Sequence, residues 1–294
     1  MSKALEWFFE VKENTRPYQK SVLVISFVTM LTSNAIIMGL PIILLDPNLI
    51  CYEKDTQLSE NHGFRCSMRE ACSGEYWYVI DDESSIGSLT REYELLCEER
   101  YLADLVGSAS FFGKTAGYFF FTFYLDMNKP LINPLMQCLF LSSIVGLLSL
   151  FSIGVLFYVV LIAIYFFLNS GLVTLVFSHT VEVMQNNPHL KETCVQIIYV
   201  GWALSSPYLV ALCLISPNWR VISAIYNSLP LLLLVLKYPN IITDYLQFIS
   251  NRSLLHGNTS DEKAKVNQAG TPSPWNLLKY KSLRMITILT CIFE

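Results

Sequence analysis

PLINPLMQCLFLSSIVGLLSLFSIGVLFYVVLIAIYFFLNSGLVTLVFSHTV, residues Pro130–Val181, runs for 52 residues without one Asp, Glu, Lys or Arg. A hydrocarbon core is ~30 Å thick and takes about 20 helical residues to cross, so this stretch is long enough for two crossings. Ser152 and Gly154 mark the tight turn between them. Backbone polar groups find no water in lipid, so each crossing must be a helix. Nothing in the chain carries the alternating ten-residue signature of a barrel.

Working outward, the apolar runs predict six spans: Ser21–Leu45, Leu105–Leu125, Leu131–Phe151, Val155–Val176, Thr193–Ile215 and Val221–Leu236. Composition agrees. Hydrophobic residues make up 53% of the 294 and charged residues 15%, against about 25% charged in soluble domains. Met1–Lys20 is charged and amphipathic, and the apolar run after it is too long for a cleaved signal. The expected organisation is all-α and integral to the membrane. Residues 1–20 form a cytosolic segment, 21–236 a six-helix bundle holding an external loop at 46–104, and 237–284 a cytosolic linker. Residues 285–294 begin a seventh helix, and Met285–Phe293 is too short to cross.

Lys and Arg gather on the cytosolic side of membrane proteins, which fixes an expected orientation. Lys3, Lys12, Arg16 and Lys20 precede span one, Lys129 lies between spans two and three, Lys191 between four and five, and Lys237 after six. All fall on one side, so both termini are expected in the cytosol. The other side receives the 46–104 loop, the turn after Phe151, and Asn218–Arg220. That loop holds 14 Asp or Glu against 5 Lys or Arg, whereas Lys237–Arg284 holds seven Lys or Arg. A multi-pass protein of the plasma membrane, or else of an organelle, is the expected setting.

The loop also carries Cys51, Cys66, Cys72 and Cys97. Four cysteines in an oxidising compartment predict two disulfides, with three connectivities open. Zinc is the weaker reading, because no C-x2-C pair is present. The sequons at Asn251 and Asn258 fall on the expected cytosolic side, where they stay unmodified.

Four patterns together resemble the organic ion transporter family of the major facilitator superfamily, carriers of organic cations, anions and carnitine. Pro47 and Cys51 are similar to its P-x-x-x-C at the loop entrance. Arg91-Glu92-Tyr93-Glu94-Leu95-Leu96-Cys97 resembles the T/S-E-W-D-L-V-C that closes the loop. Asp104-Leu105-Val106, Gly113, Gly117 and Asp126 then follow the family pattern along span two. Asn218-Trp219-Arg220 with Pro230, and Asn276-Leu277-Leu278 with Arg284, resemble its D-W-R and its approach to span seven.

The resemblance covers the family's first half and implies one of two six-helix bundles. The cytosolic motifs depart from it. Asp126-Met127-Asn128-Lys129-Pro130 stands for D-R-x-G-R-R-P, Ile162 for an arginine, Ser170 for a lysine, and Tyr238–Asp244 for P-E-S-P-R-W-L.

Within the spans Lys114 is the deepest charge, and a charge there marks a functional candidate. Gly113 and Gly117 flank it at the spacing that lets helices approach closely. Asn34, Asn169, Ser170 and Tyr118 are the other candidates for a substrate cavity, with interhelical hydrogen bonding as the alternative for the polar ones. Asp126, Lys129, Glu182 and Lys191 are candidates for a cytosolic gate. His179 and His189 have no partner motif, so no proton relay is assigned to them. No nucleophile triad, phosphate loop or metal cluster is visible in the sequence, so an enzyme, a metal site, a cofactor and nucleic-acid binding are not expected. The expected function is alternating-access transport of small organic ions, completed by a second half-carrier, a homodimer or a membrane complex. The alternative is a non-transporting half-carrier that serves as scaffold or accessory subunit.

Overall fold

A computed structural model describes residues 17–53, 63–81, 85–125, 131–184 and 188–235. Among them run six long helices: α1 (Pro17–Ile43), α2 (Arg100–Leu125), α3 (Ile132–Leu148), α4 (Val155–Val183), α5 (Pro188–Ile215) and α6 (Trp219–Val235). Asp126, Lys129, Cys291, residues 1–16 and the expected linker and seventh helix lie outside the described residues.

Among the described residues, four helices are long and apolar enough to cross a membrane: Tyr18–Ile43, Ile132–Phe151, Val155–Val183 and Lys191–Ile215. This is compatible with an all-α membrane protein. The expected spans at Leu105–Leu125 and Val221–Leu236 form helices but do not reach that measure. In α2 the reason is Lys114 together with glycine, serine and threonine; α6 is described only from Trp219 to Val235. Two other boundaries move. α4 continues past Val176 to Val183, and α5 begins at Pro188 rather than Thr193.

Without water between them, apolar helices associate through close packing, which small residues permit. On α2, Gly113 lies so near α4 that a Cβ there would sit 2.2 Å from the Ala163 carbonyl oxygen, and one at Gly117 would sit 2.3 Å from that of Phe167. Both pairs are four residues apart, so two helix faces meet over a full turn. Gly201 of α5 does the same against the Phe27 carbonyl of α1, and Gly146 of α3 seats the Asn227 side chain of α6. The core has two storeys. Tyr18, Val22, Phe121, Leu139, Leu175 and Cys194 pack in one, and Leu40, Val106, Tyr158, Ile162, Trp219 and Tyr226 in the other.

The loop between α1 and α2 adds a small sheet to the otherwise helical chain. It folds as a three-stranded antiparallel sheet of β1 (Leu49–Glu53), β2 (Phe64–Cys66) and β3 (Tyr76–Ile80), in the order β2-β1-β3. Cys51 bonds Cys66, joining β1 to β2. Cys72 bonds Cys97, joining the helical turn Met68–Ala71 to the chain just before α2. Ser67 and Glu70 form a reciprocal capping box on that turn, and the Ser67 backbone N–H holds the Glu70 carboxyl below its ordinary value. Leu49, Cys51, Ala71 and Leu96 make the small core beneath.

Candidate functional site

α2 packs on α4 through Val106, Ser110, Gly113, Gly117 and Phe121 and leaves its other faces open. Those faces split into two rows. Leu105, Phe112, Phe119 and Phe123 are exposed along one side. Asp104, Ser108, Phe111, Thr115 and Thr122 are exposed along the other, with Lys114 and Tyr118 half-buried at its edge. Steps of three and four residues keep each row on one face.

Lys114 and Tyr118 come together on this polar side. The Lys114 ammonium nitrogen lies 5.7 Å from the centroid of the Tyr118 ring, within reach of cation–π attraction. The hydroxyls of Ser108 and Thr122 donate to carbonyls of their own helix, Asp104 at 2.9 Å and Tyr118 at 2.7 Å. Their oxygens keep further lone pairs for a partner.

The other cavity candidates sit between helices. Asn34 is buried on α1, and its amide donates to the Ser205 hydroxyl at 2.5 Å and the Trp202 carbonyl at 3.3 Å on α5. Ser170 is buried on α4, donates to the Phe167 carbonyl at 2.9 Å and abuts Gly117. Asn169 is buried beside it. Asn34 thus ties α1 to α5, while Ser170 lies in the α2–α4 contact. Of the gate candidates, Glu182 and Lys191 line one cleft of about 370 Å³ with Phe177, Ser178 and Val181.

Two further constellations depend on residues far apart in sequence. The first joins the sheet-bearing loop to three helix ends. Gly87 receives a hydrogen bond from the Trp219 backbone and donates one to Pro217, both at 2.9 Å. Glu92 accepts from the Trp219 indole at 2.8 Å and pairs with Arg220, whose guanidinium also reaches the Leu150 carbonyl. Arg220 holds the Glu92 carboxyl below its ordinary value. Tyr93 donates to the Ser152 carbonyl at 2.7 Å, Thr90 to that of Leu45, and Asp46 pairs with Arg100. The α1 end, the α3–α4 turn and the α5–α6 turn therefore meet the loop at one end of the bundle, so successive helices alternate in direction.

The second lies towards the opposite end. Tyr18 Oη and His179 Nε2 share a buried hydrogen bond of 2.8 Å between α1 and α4, with Ser26 and Thr180 in hydroxyl contact at 2.8 Å. His179 thus has a partner that no local pattern announces. Its Nδ1 is buried without one among the described residues. No group of three His, Cys, Asp or Glu is placed to hold a metal among those residues. Neither protein-family models nor curated proteins match the chain.

Proposed function

We propose that the chain is one bundle of an alternating-access carrier for small organic ions, embedded in a bilayer with the sheet-bearing loop outside. The observation that carries the reading is the split surface of α2. Its phenylalanine row suits lipid. Its polar row of Asp104, Ser108, Thr115 and Thr122 suits water or protein better, since polar groups within lipid carry a cost. A hydrated cleft or a second bundle relieves that cost, and carriers place their sites at the midplane between two bundles. The resemblance at Arg91–Cys97 and Asn218–Arg220 points the same way. On this reading Lys114 and Tyr118 contribute to one wall of the pathway, and the second wall comes from another half, a second copy or a separate chain.

The departures at Asp126–Pro130 favour a second reading, a half-carrier that scaffolds a complex and moves nothing. Cysteine substitution along α2 in proteoliposomes tests hydration. Positions 108, 115 and 122 should react with a membrane-impermeant thiol reagent, while 112, 119 and 123 should not. Equal reactivity in both rows removes the pathway. Uptake of an organic cation or anion then separates the two readings. It should require a complementary bundle, and saturable uptake by a demonstrated monomer of this chain refutes the need for one. Lys114→Leu should leave insertion intact while altering uptake or assembly; unchanged uptake and assembly discard Lys114.

A further inference from the structure

We infer that the cleft between the ends of α4 and α5 binds the phosphoethanolamine headgroup of a phospholipid. The inference rests on α4 and α5 spanning the bilayer and not on the carrier reading. Phe177 and Val181, and Ser178 and Glu182, are each four residues apart and so stack in two adjacent rows of α4, and Lys191 enters from the first turns of α5. The cleft of about 370 Å³ lies where two membrane-crossing windows end, at Val183 and at Lys191. That is headgroup depth.

Its lining is mixed: Phe177 and Val181 make an apolar wall, and the exposed Glu182 and Lys191 bring a carboxylate and an ammonium. Neither Glu182 nor Lys191 is engaged in an ion pair or hydrogen bond with another described side chain, although both face the same space. Glu182 and Lys191 are both exposed, and two opposite charges on one apolar-walled cleft suit a ligand carrying both signs. A primary ammonium donates N–H bonds to Glu182, a phosphate accepts from Lys191, and the glycerol and first acyl carbons lie along Val181 and Phe177.

Other headgroups fit less well. A choline ammonium has no N–H to donate to the carboxylate, and an anionic glycerol headgroup brings no cation for Glu182. The apolar wall favours an amphiphile over a free metabolite of the same charge pattern, since a cleft of this size takes a headgroup together with the start of its chains.

The test uses the full chain in nanodiscs of equal phosphatidylethanolamine, phosphatidylcholine and phosphatidylglycerol, with retained lipid counted by native mass spectrometry. Phosphatidylethanolamine should be enriched several-fold over both others. Glu182→Gln and Lys191→Gln should each abolish the enrichment, while Glu182→Asp and Lys191→Arg keep it, which separates lost recognition from lost folding. Equal retention of the choline lipid, preference for the glycerol lipid, or enrichment that survives both neutral variants overturns the site. Displacement of the lipid by soluble glycerophosphoethanolamine at low millimolar concentration would place a free zwitterion there and overturn the lipid assignment.

Discussion

Glu92 and Arg220, 128 residues apart, are joined by hydrogen bonds from the Arg220 Nε at 3.0 and 2.9 Å, and the same carboxylate accepts from the indole of Trp219. One acidic side chain on the loop thus fastens the turn between α5 and α6. Trp219 is only 2% exposed, so its N–H has little water to turn to if Glu92 is removed.

Glu92→Ala should therefore destabilise the fold by about 1–3 kcal/mol, the cost of leaving a buried donor unsatisfied. Arg220→Leu removes a half-exposed pair, worth about 0.2–1 kcal/mol, together with the bond to the Leu150 carbonyl. Unfolding of the single and double variants in a mutant cycle measures the coupling. Strictly additive effects would show that the two side chains do not act as a pair.

The same carboxyl predicts a pH dependence. Arg220 holds the folded-state value of Glu92 below 4.5, so the folded form binds its proton less readily than the unfolded chain does. The stability it contributes is full above the unfolded value and is lost as pH falls through the folded one. Thermal unfolding of the chain and of Glu92→Gln should differ most at neutral pH and converge below pH 4.5. A gap that stays constant down to pH 3 counts against the pairing.

Cys51–Cys66 and Cys72–Cys97 should appear as cross-linked peptides in a non-reducing digest. A disulfide contributes typically 2–4 kcal/mol, so replacing both Cys72 and Cys97 by Ser should lower the stability of the loop by that order. Free thiols at all four positions, or a different pairing, would contradict the sheet. In sealed vesicles, protection of those four cysteines from external reagents even after reduction would reverse the proposed orientation.

The helical regions were legible because lipid-crossing segments must be long and apolar, and the charge-free run Pro130–Val181 announces two of them. The sorting of charges also placed the loop, Ser152 and Asn218–Arg220 on one side, and these do meet at Gly87–Tyr93. α4 runs on past the expected Val176 through His179 and Thr180, whose partners Tyr18 and Ser26 lie far away on α1. The sheet was hidden for another reason. Its strands span three to five residues, and β1 finds both partners non-locally. Among the site candidates, Lys114 and Tyr118 stand four residues apart on one helix and could be paired from sequence. Glu92 and Arg220 could not, and the role of Asn34 depends on Ser205, 171 residues away.

Gly113 and Gly117 provide a test of the bundle itself. A methyl group at either position would collide with a backbone carbonyl of α4, and backbone cannot swing aside as a flexible side chain can. Gly107 lies on the same helix with nothing within 4 Å of the corresponding position. Gly113→Ala and Gly117→Ala should therefore force α2 from α4, with a loss on the order of 1–3 kcal/mol, the usual cost of overpacking. Gly107→Ala should be neutral or slightly stabilising, because Ala is the better helix former by up to ~1 kcal/mol. Cross-linking between Cys substitutions at Phe121 and Gly171, which are in contact across α2 and α4, together with thermal stability in detergent, reads the separation. If all three alanines behave alike, the close approach of α2 and α4 is not what holds this side of the bundle together.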